Sequence, residues 1–170
     1  MRRRNTTTEF LKECIADALL KLLQTKNMDE IKVSEITDLA DVGRVTFYRH
    51  FKSKEDVIYF KCRLIGDRWH SGLTPEQLQD RSSMAESFFE LMVSVQATLT
   101  TLHHAGLLYI VVRAIYDSMR GDNPEPQGDE VYSHAFLAFG LFGILAEWIN
   151  GGCQKPPKEL TVLTLQNVKV

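Results

Sequence analysis

Cysteine is scarce in this 170-residue chain. Cys14, Cys62 and Cys153 lie far apart and form no C-x-x-C or other metal-ligand spacing. An odd count so spaced excludes a disulfide scaffold and points to free thiols in a reducing compartment. Long apolar runs are missing too. The longest uncharged, largely apolar stretch, 135–146, has twelve residues, whereas a spanning helix needs ~20. The basic start, Met1-Arg2-Arg3-Arg4-Asn5, is not followed by the apolar segment of a secretory signal. A cytoplasmic protein with no membrane partner is expected. There is no strand-like alternation, internal repeat, phosphate-cradling loop, H-E-x-x-H pair or Ser-His-Asp order. Enzymatic activity, catalytic residues and cofactors are therefore not expected. No metal is expected either: His103 and His104 are adjacent, so they point about 100° apart on a helix, with no third ligand at a matching offset.

What the sequence does hold is a helical pattern and an uneven charge. The net charge is −2, but residues 1–63 carry 13 Lys/Arg against 10 Asp/Glu, a balance of +3. Residues 64–170 carry 7 against 12, a balance of −5. A mildly basic N-terminal third joined to an acidic remainder suggests two jobs in one chain.

Thr6-Thr7-Thr8 offers N-caps for a first helix from Glu9, in which Leu11, Ile15, Ala18, Leu19 and Leu22 recur at helical spacing. A short second helix starts at Val33 or Ser34, with Ile36, Leu39 and Ala40 as its apolar face. Asp41-Val42-Gly43 interrupts, and a third helix covers 44–50. Ser53 with Asp56 three residues on reads as an acidic capping box for a fourth, carrying Val57, Ile58, Phe60 and Leu64. The chain loosens over 66–83, where Thr74-Pro75 can cap a short helix. The spacing then predicts one helix over 83–101, another over 107–119 and a Pro-containing loop over 121–128. A long helix over 129–150 is stopped by Gly151-Gly152, and a last one lies near 158–166.

Residues 33–51 read as two short helices separated by about three residues, a helix-turn-helix. Such a unit braces its first helix across the DNA backbone and presents the second to the major groove, where each base pair has its own donor and acceptor pattern. Ile36, Leu39, Ala40, Val42 and Phe47 suit the apolar seam between the two. Asp41 sits where the turn needs a left-handed residue, which Asp tolerates. Gly43 sits at the cap of the second helix.

This segment resembles the TetR (tetracycline-repressor-like) family. Ile36, Ala40, Val42, Thr46, Phe47, Tyr48, Phe51, Lys54 and Glu55 carry the likeness, resembling the family's T-[LF]-Y-x-[HY]-F-x-[SN]-K-E stretch. The segment 143–152 is similar to the end of a dimerisation helix in one class of such proteins. Asp41 and Gly43 depart from the family, which usually has Gly and Ser there. The expectation is an all-α fold: residues 1–55 a three-helix DNA-binding unit with the helix-turn-helix, residues 56–170 a helical bundle for dimerisation and ligand binding.

Roles follow by residue. Arg44 and Arg49 are candidates for guanine O6/N7 or phosphate contacts, and Val45 and Thr46 for base edges or a thymine methyl. Tyr48 and Lys54 look like the family's phosphate anchors, as do Ser34 and Thr37, with His50 beside them. Arg2, Arg3 and Arg4 can reach an adjacent minor groove. The helix over 129–150 is apolar nearly all round, so it must bury two faces. One serves its own core; the other serves a partner subunit, or else the helix is central in a monomeric bundle. On the dimer reading, Phe136, Phe139, Gly140, Phe142, Gly143, Trp148, Leu160 and Leu163 form the interface. The resemblance implies a repressor that binds double-stranded palindromic operator DNA as a homodimer and is released by a small-molecule effector. Trp69, Phe88, Met92, Tyr109, Arg113 and Tyr116 are the candidate pocket. A switch operated by a partner protein, or an activator, fits the same sequence.

Overall fold

A computed structural model describes residues 2–120 and 128–167, the side chains of 2–6 excepted. Among the described residues there are ten α-helices, one 3-10 turn and no strand. The side chains of Arg2, Arg3 and Arg4 and most of the loop expected over 121–128 lie outside what is described. The chain divides into two units, Met1–Cys62 and Arg63–Val170.

The first unit opens with α1 (Arg2–Leu23), which starts several residues before the cap expected at Thr6-Thr7-Thr8. Ile15, Ala16, Leu19 and Leu23 recur at three- and four-residue spacing and are buried. A 3-10 turn (Met28–Glu30) leads to α2 (Val33–Leu39) and α3 (Arg44–His50). α1 packs on α2, and α2 on α3. α4 (Lys54–Gly72) begins in this unit. Its start is the expected box: the Asp56 N–H donates to Ser53 Oγ at 3.1 Å, and the Ser53 N–H to Asp56 Oδ2 at 3.1 Å. Val57 and Ile58 turn inward to meet the core.

The second unit holds α5 (Pro75–Gln79), α6 (Arg81–Ser94), α7 (Gln96–His104), α8 (Leu108–Arg120), α9 (Glu130–Asn150) and α10 (Pro157–Asn167). Thr74 caps α5 reciprocally with Gln77, and Pro75 takes the first helical position. The single helix expected over 83–101 is two helices. Val95, at φ −108° and ψ 16°, breaks the spiral between α6 and α7. Apolar spacing continues across this break, so periodicity alone does not reveal it. α8 and α9 pack together, and α6 packs on α10. α9 stops where expected: Gly151 and Gly152 return N–H bonds to Glu147 and Ile149, each at 2.9 Å, and Gly152 takes φ 71°.

α9 exceeds the twelve-residue run seen in the sequence. Tyr132, Ser133 and His134 extend it without charge, and it is long and apolar enough, by length and composition alone, to cross a membrane. Its most apolar stretch is only 28% buried within the chain. Ala138, Leu141, Leu145, Trp148 and Ile149 form the inward face.

Candidate DNA-binding face

The α2–α3 pair is held by local chemistry. The Lys32 N–H donates to Glu35 Oε2 at 2.9 Å, capping the start of α2. The other Glu35 oxygen accepts the Lys26 ammonium from the segment after α1. That bond, more than any other influence, holds the Glu35 carboxyl below its ordinary range. One carboxylate thus caps the bracing helix and ties it to the preceding segment.

At the far end of α2, the Ala40 N–H returns to the Ile36 carbonyl at 2.9 Å and the Val42 N–H to that of Thr37 at 3.0 Å. Asp41 between them takes φ 51°, the left-handed conformation the turn requires. Gly43 is extended and caps α3 without a side-chain bond, its carbonyl accepting the Thr46 N–H at 2.8 Å.

α3 is anchored by aromatic rings on one side and bare on the other. Phe47 is 1% exposed, with its ring centroid 5.9 Å from that of Phe51. Phe51 meets Phe60 of α4 edge-on at 5.7 Å, and the Lys12 ammonium from α1 lies 4.0 Å over the Phe60 ring. This stack fixes the rotation of α3 about its own axis. Positions 44, 45, 48 and 49 therefore point outward: Arg44 and Arg49 are exposed, Val45 is 71% exposed and Tyr48 64%. Thr46 and His50 flank them half-buried, and Ser34 on α2 is half-buried too. Lys52, which the motif did not single out, adds an exposed cation just past α3.

Two expected phosphate anchors are placed otherwise. Thr37 is buried at 1% exposure, and its hydroxyl donates to the Ser34 carbonyl at 3.0 Å. It closes a turn of α2 and is out of reach of a phosphate. Lys54 is half-buried, and its ammonium donates to the carbonyls of Met28 and, at 2.9 Å, Ile31. Those carbonyls belong to the connector between α1 and α2, so Lys54 is a positioning residue spanning more than twenty positions of sequence. Lys12, Lys26 and Phe60 are positioning residues as well. Their contacts reach nine positions of sequence or more and leave no local signal.

The expected pocket residues differ in exposure. Trp69 and Phe88 meet edge-on at 5.8 Å, and the Trp69 indole N–H donates to Ser87 Oγ at 3.0 Å. Met92 is buried. Tyr109 and Arg113 lie on the exposed side of α8, with Arg113 3.8 Å from Asp117, and Tyr116 carries the Arg120 guanidinium 5.5 Å over its ring. Of the expected interface residues, Phe136, Phe139, Gly140, Gly143 and Leu163 are exposed and Phe142 is half-buried. Trp148 and Leu160 are not on that face: both are buried in their own chain, and the Trp148 indole N–H donates to the Lys155 carbonyl at 3.0 Å. Among the described residues no three His, Cys, Asp or Glu side chains gather as a metal site; His103 instead meets Asn150 Oδ1 at 2.9 Å.

A left-handed turn between two short helices, with the second bared along one stripe, is the geometry that a family comparison can decide. The sequence model of the family described as bacterial regulatory proteins, tetR family, matches residues 15–58. The N-terminal unit belongs to the tetR family. The match covers α1 from Ile15 through α2 and α3 into α4, all the elements that build the exposed stripe. The chain is accordingly a DNA-binding regulator of transcription. Beyond the tetR segment, solved structures carry the fold over nearly the whole chain. A TetR transcriptional regulator from Streptococcus agalactiae is similar at a TM-score of 0.61 and 20% identity, covering 98% of each chain. The fatty acid degradation regulator FadR from Bacillus halodurans is similar at 0.56 and 16%, covering 92% of this chain and 93% of its own. No curated protein matches the sequence.

Proposed function

We propose that this tetR-family regulator is a cytoplasmic repressor that binds a two-fold symmetric operator as a homodimer, with one α3 in the major groove of each half-site. The carrying observation is the outward stripe of α3. Arg44 and Arg49 offer bidentate donors, Val45 an apolar contact for a thymine methyl, and Tyr48 a hydroxyl for phosphate. Ser34, Thr46 and His50 flank the stripe, and Lys52 adds charge. In this reading residues 1–55 bind DNA, and residues 56–170 dimerise and regulate.

The dimer is supported by the exposed apolar side of α9. Phe136 is 59% exposed and Phe139 68%, which is unusual for large apolar side chains in water. A homodimer sets two recognition helices about one DNA turn apart, roughly 34–36 Å. A small-molecule effector that changes that spacing releases the operator. We assign its seat to the Trp69–Phe88 pair, whose rings meet edge-on at 5.8 Å, together with the buried Met92.

Selection of bound sequences from a random DNA pool tests the reading. A consensus with two-fold symmetry is the expected result. An asymmetric consensus, or none, overturns it.

A further inference from the structure

We propose that Val45 and the ring of Tyr48 on α3 form a seat for the C5 methyl of one pyrimidine in each half-site, so that the regulator binds 5-methylcytosine there as it binds thymine and refuses unmodified cytosine. The inference rests on the operator reading above and deepens it: methylation of cytosine becomes a signal that the same stripe reads.

Among the described large apolar side chains of the first unit, Val45 is the most exposed, at 71%. An exposed valine adds little to the core, and valine is a poorer helix former than alanine. Its χ1 is nearly fixed in a helix, so both methyls are held in place before any contact. Tyr48 lies three residues on, and helix neighbours at that spacing stand about 5–6 Å apart at Cβ. The exposed Tyr48 ring is steadied edge-on by the buried Phe47, with centroids 5.4 Å apart. The valine methyls and the ring body thus border one apolar seat, with Arg44 before it and Arg49 after it, both exposed. An apolar seat bracketed by two cations fits a methyl set among phosphates and base edges better than it fits an apolar protein surface.

Gly43, just before α3, supplies the clearance. Its φ of −73° and ψ of 147° are ordinary for any residue, and a Cβ would meet nothing within 4 Å, so the fold does not require glycine there. A serine, usual in the family at this place, would cap α3, which Gly43 leaves without a side-chain bond. A bare Cα lets α3 lie closer to the base edges, and a side chain as short as valine needs that approach. The pyrimidine C5 methyl is the apolar group that a base pair shows in the major groove. Thymine carries it, and 5-methylcytosine carries the same methyl on the same carbon. Valine has no donor or acceptor, so it cannot tell the thymine O4 from the cytosine amino group. Withdrawing one methyl from water is worth about fourfold in affinity at each half-site, or about fifteenfold over two.

Duplexes built on the consensus selected from a random DNA pool are the probes, titrated with the full chain and read by fluorescence anisotropy. Each thymine of a half-site, with its symmetry mate, is replaced in turn by deoxyuridine, which removes the methyl and nothing else. At one position affinity should fall about fifteenfold. At that position a cytosine–guanine pair should bind weakly, and 5-methylcytosine opposite guanine should regain the same factor. Val45→Ala, which favours the helix, should melt no lower than wild type and bring both ratios close to one. Gly43→Ser should also melt no lower and lose the discrimination. A two-fold consensus indifferent to deoxyuridine, or ratios that Val45→Ala leaves intact, overturns the methyl seat and leaves the operator reading standing. A gain from the thymine methyl without one from 5-methylcytosine overturns the response to methylation, and discrimination kept by Gly43→Ser overturns the role of Gly43. A pool that yields no symmetric consensus overturns both readings.

Discussion

A cation's role depends on what its charge meets, and Lys54 and Arg44 illustrate the contrast. The Lys54 ammonium satisfies two carbonyls of the α1–α2 connector, whereas Arg44 extends from the outer side of α3. Lys54→Ala should therefore unfold the N-terminal unit more readily, by about 1–3 kcal/mol for lost charge-assisted bonds. Thermal melting would register it without any DNA present. Arg44→Ala should leave the melt unchanged and relax base preference at one operator position, costing about 1–3 kcal/mol there; binding-site selection on that variant reads the effect. Asp41 holds a left-handed backbone at φ 51° with a side chain that merely tolerates it. Asp41→Gly should raise stability by about 1 kcal/mol and leave operator affinity intact, which paired denaturant and binding titrations would check. Burial pushes the Cys62 thiol up to about 12. At pH 8 it should react with a thiol reagent far more slowly than in the urea-unfolded chain, because so little thiolate is present.

Helix boundaries follow caps more than propensity. Asp80 caps α6 by accepting the Ser83 N–H at 2.8 Å and also the Ser83 hydroxyl, and these bonds hold its carboxyl below the ordinary aspartate range. A carboxyl depressed in the folded state adds stability that is complete above its unfolded value and fades as pH falls through its folded one. Asp80→Ala should lower the melting temperature at pH 7, and the gap from wild type should close in strong acid. A gap that persists unchanged at pH 2 would contradict this role. The caps at Ser53, Thr74 and Gly151 were legible in the sequence because capping acts between residues at most a few positions apart. The break at Val95 was not. Its backbone leaves the helix within a continuous apolar pattern, and no glycine or proline marks the place.

At the scale of the whole molecule, the net charge of −2 gives no hint of nucleic acid, because the acidic second unit outweighs the basic first. Operator affinity should nevertheless fall on the order of a thousandfold between 50 and 200 mM salt, since the local cations of α3 and its flanks displace the DNA counterions. Fluorescence anisotropy across that range would measure it, and a flat response would rule out phosphate neutralisation. The helix-turn-helix was legible because its seam, turn and cap lie within nineteen consecutive residues. The exposure of the six expected pocket residues was not legible in the same way. Burial of an aromatic side chain depends on which helix lies over it, and Tyr109 and Phe88 face different surroundings despite similar local patterns.

The order of residues alone determined the all-helical class, the left-handed turn at Asp41, the caps at Ser53, Thr74 and Gly151 and the outward stripe of α3, because each arises from contacts within a few turns of chain. Only the tertiary structure decided that Thr37 and Lys54 serve the protein's own backbone, that Trp148 and Leu160 lie in its own core, and that α9 keeps an aromatic and glycine stripe uncovered. Those outcomes depend on which distant elements meet, and a one-dimensional pattern carries the period of a face but not the identity of its neighbour.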